Sequence, residues 1–435
     1  MVRKLQNFYV EIDGNKEVFY PGEDVRGNVV VDVSQSMKCK QINVVLVGAS
    51  YCHWTTTRTT TDNRGNSKTE TDHHTGHQLL VNLQGVLFGG SSTKAVQHPP
   101  GIHVYPFLFK LPSPLPSSFE GGTGHIRYYV EAKVDRPWKF DHKIRKPFTV
   151  NEIIDINLPQ YSTVPVGSKE KQIGCLCCVS GNLNMQASLD RAGYCPGEQI
   201  FLNALCENSS TREMRCMRAT LIQNILFRAA DGHTTGSSIA ITRFEGGKIP
   251  ARGQDLWNNQ PFLIPPVAPT INTNPVSVSY HVKFDVRVPM GLNPKILLGI
   301  TMGTVPFQRT FGRQCSYELA ENQVMEAGYT HQVQPLATQF GPTTSTLGYP
   351  DMPPPSYAVA VGGLPVNVGD AEARSHFGDQ SYVPRYTYAQ PFQGQFPQTA
   401  PSGQFGSDIA NLPPHSGAYP GTSSENWPSW SKAPH

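Results

Sequence analysis

The sequence predicts an all-β fold: two β-sandwich domains in tandem, followed by a disordered Pro/Gly/Gln-rich tail. Three observations carry this reading. Apolar and polar residues alternate at period two in one segment after another, as in sheets with one face in a core and one in water. A Pro-Gly-Glu turn opening such a segment occurs twice, at Pro21-Gly22-Glu23 and at Pro196-Gly197-Glu198. The composition changes near Phe307, and from about residue 330 onward it is Pro, Gly, Gln, Ser and Ala, which cannot bury enough apolar area to offset the entropy of ordering.

Taken in order, the first turn feeds a strand in which Val29, Val31 and Val33 alternate. "INVVLVGASY" (42–51) follows the same rule. The polar stretch from Thr55 to His77 reads as a long hairpin loop, with His73, His74 and His77 in solvent. "HIRYYVEAKV" sets Ile126, Tyr128, Val130, Ala132 and Val134 on one face and Arg127, Tyr129, Glu131 and Lys133 on the other. "INLPQYSTVPVGSKEKQ" reads as a linker, and "NMQASLDRAGY" resumes the alternation. After the second turn, Ile200 falls where Val25 did and Ala204 where Val29 did. "SVSYHVKFDVRV" is the cleanest case, with Val278, Tyr280, Val282, Phe284, Val286 and Val288 against Ser279, His281, Lys283, Asp285 and Arg287. Turn signals recur at the spacing of a sandwich. The predicted domains are 1–155 and 170–308, with a linker at 156–169 and the tail at 309–435. "SYELAENQVMEA" (316–327) reads as a short helix within it.

Length and charge bound the function. At 435 residues the chain is too long for one core. A net charge of +3 and pI ≈ 8.3 are too mild to argue for a nucleic-acid partner. The N-terminus has no apolar run of a signal peptide, and nothing reaches the 18 apolar residues of a membrane span. The nine cysteines are an odd number without framework spacing, so reduced thiols in the cytosol are expected.

The sharpest motif is Pro354-Pro355-Ser356-Tyr357, a PPxY string. Its prolines preset a polyproline II turn that docks at low entropic cost into the aromatic groove of a WW domain, while the tyrosine fills a pocket. Val383-Pro384-Arg385-Tyr386 is a weaker copy lacking the first proline. The 29 residues from Tyr357 to Tyr386 (386 − 357) span about 30 Å as a coil, suited to tandem WW domains. An ordinary Tyr-rich tail is the alternative. "PQTAP" (397–401) departs from a PTAP budding motif at Gln398, and Tyr419 lies too far from Pro414 for PPxY.

"CLCC" supplies Cys175, Cys177 and Cys178, without the paired spacing of a zinc cage. No nucleophile–base, metalloprotease or P-loop signature occurs, so neither catalysis, nor a metal, nor a cofactor is expected. Arg136, Lys139, Lys143, Arg145 and Lys146 cluster near the end of the first domain. They read either as a solvated strand edge or as a basic surface for acidic lipid headgroups or acidic partners.

Residues 5–307 resemble the α-arrestins, the arrestin-domain-containing proteins. The resemblance rests on "KEVFYPGEDVRGNVVVDV", "LPSPLPSSFEGGTGHIRYYVEAKVDRPWKFD", "GYCPGEQI" and "IPPVAPTI", of which the run from Leu111 to Asp141 is the most specific. It implies two arrestin-like, immunoglobulin-like β-sandwiches joined by a short linker. It further implies a non-catalytic cytoplasmic adaptor recruited to plasma membrane and endosomes. The sandwiches would grip cytoplasmic regions of membrane receptors or transporters, and the PPxY tail would hold a WW-domain HECT-type ubiquitin ligase. The alternative it leaves open is a trafficking or thioredoxin-binding scaffold that acts without a ligase.

Overall fold

A computed structural model describes residues 4–61, 67–90, 94–138, 140–175, 178–308 and 382–389. Two sandwiches account for 4–308. In the first, Asp24–Val33 is the middle of a three-stranded sheet with Leu5–Ile12 and Gly101–Lys110 at its sides. The second layer runs Val18–Phe19, His142–Val150, Gly124–Asp135, Gln41–Thr61, Ser67–Gly89, with Phe119–Glu120 added to Gly124–Asp135. The second sandwich repeats the plan. One sheet runs Val166–Cys175, Cys178–Leu189, Gln199–Asn208, Gly253–Leu263. The other runs Gly193–Tyr194, Lys295–Met302, Val276–Val286, Met217–Arg228, Thr234–Glu245, with Ile271–Asn272 added to Val276–Val286.

The two Pro-Gly-Glu turns correspond atom for atom. Glu23 Oε2 accepts from Tyr20 N at 3.0 Å, and Glu198 Oε2 from Cys195 N at 2.9 Å. Gly22 N donates to Leu111 O and Gly197 N to Ile264 O. Each glutamate also pairs with a cation seven residues upstream, Lys16 at 2.8 Å and Arg191 at 3.0 Å. That cation lies over the aromatic ring three residues further on, Phe19 or Tyr194. Both glycines have positive φ, 88° and 94°, which a Cβ disfavours. Val25 and Ile200, and Val29 and Ala204, are all buried. Just before each turn, a two-residue strand pairs in parallel with the sandwich's last long strand.

The alternating faces go inside as read. Ile126, Tyr128, Val130, Ala132 and Val134 are fully buried, as are Val278, Val282 and Phe284. The polar stretch 55–77 departs from its expectation. It is strand nearly throughout the described residues, paired in unbroken register from Ala49↔Leu79 to Thr61↔Ser67. The threonines carry the reason, since β-branched residues favour strands whatever their polarity. The hairpin also crosses to the second sandwich. Ala230 N donates to Thr75 O at 2.9 Å, and Cys52 Sγ lies 3.6 Å from Arg228 O.

The second sandwich's first strand starts at Val166, inside the stretch read as linker. Ahead of it, Ile156 is buried, and Ile154 N donates to Thr304 Oγ1 at 2.7 Å. The connection is therefore fastened to the second sandwich. No helix among the described residues is long and apolar enough to cross a membrane.

Candidate functional site

Eight residues of the tail, Tyr382–Ala389, lie on this framework, and they contain the weaker WW-type motif. Their seat is made by the run that carries the resemblance. Ser117 and Ser118 are fully buried and accept hydrogen bonds from Glu152 N (2.8 Å) and Val150 N (2.9 Å). Tyr128 donates to Pro116 O at 2.7 Å. These bonds pin "LPSPLPSSFE" against the end of His142–Val150 and leave the Ser118 carbonyl, Thr149 and Asn151 facing the tail.

The tail segment uses all three. Tyr386 is 2% exposed and donates its hydroxyl to Ser118 O at 3.0 Å. Arg385 N donates to Thr149 Oγ1 at 3.2 Å, and Arg385 O accepts from Asn151 Nδ2 at 3.1 Å. Tyr382 packs on Tyr129 and Val47 and donates to Phe148 O at 3.1 Å; burial raises its phenol pKa well above the ordinary value. Pro384 is buried. At the far end, Ala389 N donates to Pro196 O at 2.7 Å, on the second sandwich's Pro-Gly-Glu turn. The segment thus bridges both sandwiches. Arg385 also pairs with Glu17 at 2.9 Å, an exposed contact worth roughly 0–1 kcal/mol.

This seating changes the face of Gly124–Asp135 expected to meet water. Tyr129 is buried, and so is Arg127, which makes a bidentate pair with buried Glu120 at 2.6 and 2.7 Å. Both charges bear on the Tyr382 phenol. The pair has no signature in sequence, because alternation assigns Arg127 to solvent. Beside the segment a cavity of ≈ 400 Å³ opens among Lys16, Lys146, Thr149 and Arg385.

Two family models match the chain: the N-terminal domain of arrestin (or S-antigen) over residues 8–157, and its C-terminal domain over 179–307. The chain is an α-arrestin. It is 28% identical to human Arrestin domain-containing protein 4 over 80% of this chain and 79% of that one. Arrestin domain-containing protein 17 of Caenorhabditis elegans is 25% identical over 88% and 99%. Mouse Thioredoxin-interacting protein is 25% identical over 66% and 71%.

The remaining candidate residues fall as follows in this α-arrestin. The primary motif, Pro354, Pro355, Ser356 and Tyr357, lies outside the described residues, as do Lys139, Cys177, the PQTAP stretch and the side chains of Cys175 and Cys178. The basic cluster does not form one face. Lys143 and Arg145 share a face with Lys133 and Glu131, whereas Lys146 shares the opposite one with Val130. Arg145 is committed to Glu131 at 2.6 Å and stacks on Tyr129, and Arg136 donates to Phe140 O. Alternation along His142–Val150 splits the run, so an acidic partner would meet Lys143 and Lys146 on different sides of the sheet.

His74 corrects the solvated reading, while His73 and His77 stay exposed. His74 is 5% exposed, with Nδ1 2.7 Å from Asp231 Oδ2 and Nε2 2.9 Å from Thr56 Oγ1. With His233 these groups could hold a metal, their ligand atoms lying within 4.8 Å of one another. Both His74 nitrogens have protein partners, and the arrangement ties the first sandwich's hairpin to the second sandwich. Hydrogen bonding from His74 draws the Asp231 carboxyl down to about 2. Cys39, Cys52, Cys195, Cys206 and Cys216 are buried. Burial raises the thiols of Cys39, Cys52, Cys206 and Cys216, the third to about 12, which suppresses the reactive thiolate.

Proposed function

We propose that this α-arrestin is a non-catalytic cytoplasmic adaptor that brings a WW-domain HECT-type ubiquitin ligase to membrane-protein cargo at the plasma membrane and endosomes. The observation that carries the reading is Pro354-Pro355-Ser356-Tyr357 in the same chain as two arrestin sandwiches. The sandwiches hold the cytoplasmic regions of receptors or transporters. The PPxY string holds the ligase, and the cargo's lysines accept ubiquitin, which marks it for endocytosis. Titration of a tandem WW module with full-length protein tests this. Micromolar binding, near −8 kcal/mol, is expected, with most of it lost in Tyr357→Ala. Equal binding by wild type and Tyr357→Ala would reject the motif's role. The thioredoxin-scaffold reading draws on the name of one relative, but the five cysteines above are buried, which does not favour a thiol-exchange partner at those positions.

A further inference from the structure

We propose that Tyr382–Ala389 is a detachable clasp that hides the second WW-type motif for as long as it bridges the two sandwiches. The inference deepens the ligase-adaptor reading and rests on it for the identity of the competing partner.

A WW groove reads the proline rings and the whole tyrosine side chain of its ligand. In the docked segment neither is available. Pro384 is buried, Tyr386 is 2% exposed, and the Tyr386 hydroxyl is spent on Ser118 O. The backbone between them is also engaged, through Arg385 N on Thr149 and Arg385 O on Asn151. One tyrosine cannot fill both pockets, so WW binding at this motif requires undocking.

The anchors outside the motif make the clasp separable from it. Tyr382 precedes Val383 and is held by Tyr129 and Phe148 O, while Ala389 follows Tyr386 and is held by Pro196 O. Apparent affinity falls in proportion to the fraction of molecules whose motif is free. A clasp closed in nine molecules of ten therefore weakens the site about ten-fold. Because its last anchor lies on the second sandwich, any shift of that sandwich against the first loosens the clasp and exposes the motif.

The test uses full-length protein carrying Tyr357→Ala, so that WW binding reports the second motif alone. A synthetic peptide of residues 378–392 sets the affinity of the free motif. The full chain should bind the WW module at least ten-fold more weakly than the peptide. Tyr382→Ala, or separately Asn151→Ala on the groove side, should restore most of that loss without touching Val383–Tyr386. Hydrogen exchange supplies a readout independent of WW binding: the Arg385 and Ala389 amides should be protected in the wild type and lose protection in Tyr382→Ala. Equal affinity of full chain and peptide, a peptide that does not bind, or unprotected amides in the wild type would each overturn the proposal. Failure of the adaptor reading shows separately, as unchanged binding on Tyr357→Ala in otherwise wild-type protein.

Discussion

A Cβ added at Gly22 would meet nothing within 4 Å, whereas one at Gly197 would come within 1.8 Å of Ala389 O. The turns share their hydrogen bonds, their ion pair and their left-handed glycine, yet one faces open space and the other holds the end of the tail. The same contrast separates the corresponding sheet faces. On Val276–Val286, Ser279 is exposed and His281 and Lys283 half-buried, while Asp285, read as solvent-facing, is buried against Arg218 of the neighbouring strand; on Gly124–Asp135, Arg127 is buried with Glu120 and Tyr129 is buried under Tyr382 of the tail. Duplicated local sequence therefore sets duplicated local structure, and a segment nearly two hundred residues downstream sets the difference.

The largest effect expected from breaking that asymmetry comes from Arg127→Ala. It leaves Glu120 charged and buried, at a cost of about 3–5 kcal/mol. In a chain lacking 382–389, water reaches the pair, and the cost should fall to about 1 kcal/mol; urea unfolding midpoints of the four proteins give the comparison. Next come the turns. Gly22→Ala should cost roughly 1–2 kcal/mol from its left-handed backbone alone. Gly197→Ala should cost that and also expel the tail, with faster amide exchange at Ala389. The two should become equivalent once 382–389 is removed.

A smaller effect sharpens the comparison at the other contact between the sandwiches. Asp231 has a folded pKa of about 2 against an ordinary 3.8, so its contribution is present above the ordinary value and is lost as pH falls through about 2. Asp231→Asn should flatten that acid limb in a thermal-melt series, leaving the clasp's exchange protection intact at neutral pH. Smallest is Glu17→Gln, which removes an exposed partner of Arg385 and should change stability by less than about 1 kcal/mol.

The fold was legible because most strands have one buried and one wetted face, so period two reported burial directly. The Pro-Gly-Glu repeat was legible but is longer than its three letters: Lys16 and Arg191, and Phe19 and Tyr194, belong to it as well, hidden by substitutions that keep charge and ring. Tyr129 was misplaced because Tyr382, which packs on it, is remote in sequence and reads as tail, and Arg127 because alternation cannot show that a buried Glu120 pairs with it. His74 was misplaced for the same reason, since Asp231 belongs to the other sandwich. Val383-Pro384-Arg385-Tyr386 was visible as a motif, but a motif names a type of partner and not whether the chain itself already occupies that role.

Docking at Tyr382 also turns the preceding chain into a closed ring. The polypeptide leaves the second sandwich at Gln308 and is caught again at Tyr382, with 73 residues between (382 − 308 − 1). Tyr357 lies 25 residues short of the second anchor (382 − 357). Tyr357 is then limited from two sides, and the shorter span allows it no more than about 90 Å from the clasp even at full extension. Opening the clasp removes that limit, and the position of Tyr357 is then bounded only by the 49 residues that separate it from Gln308 (357 − 308).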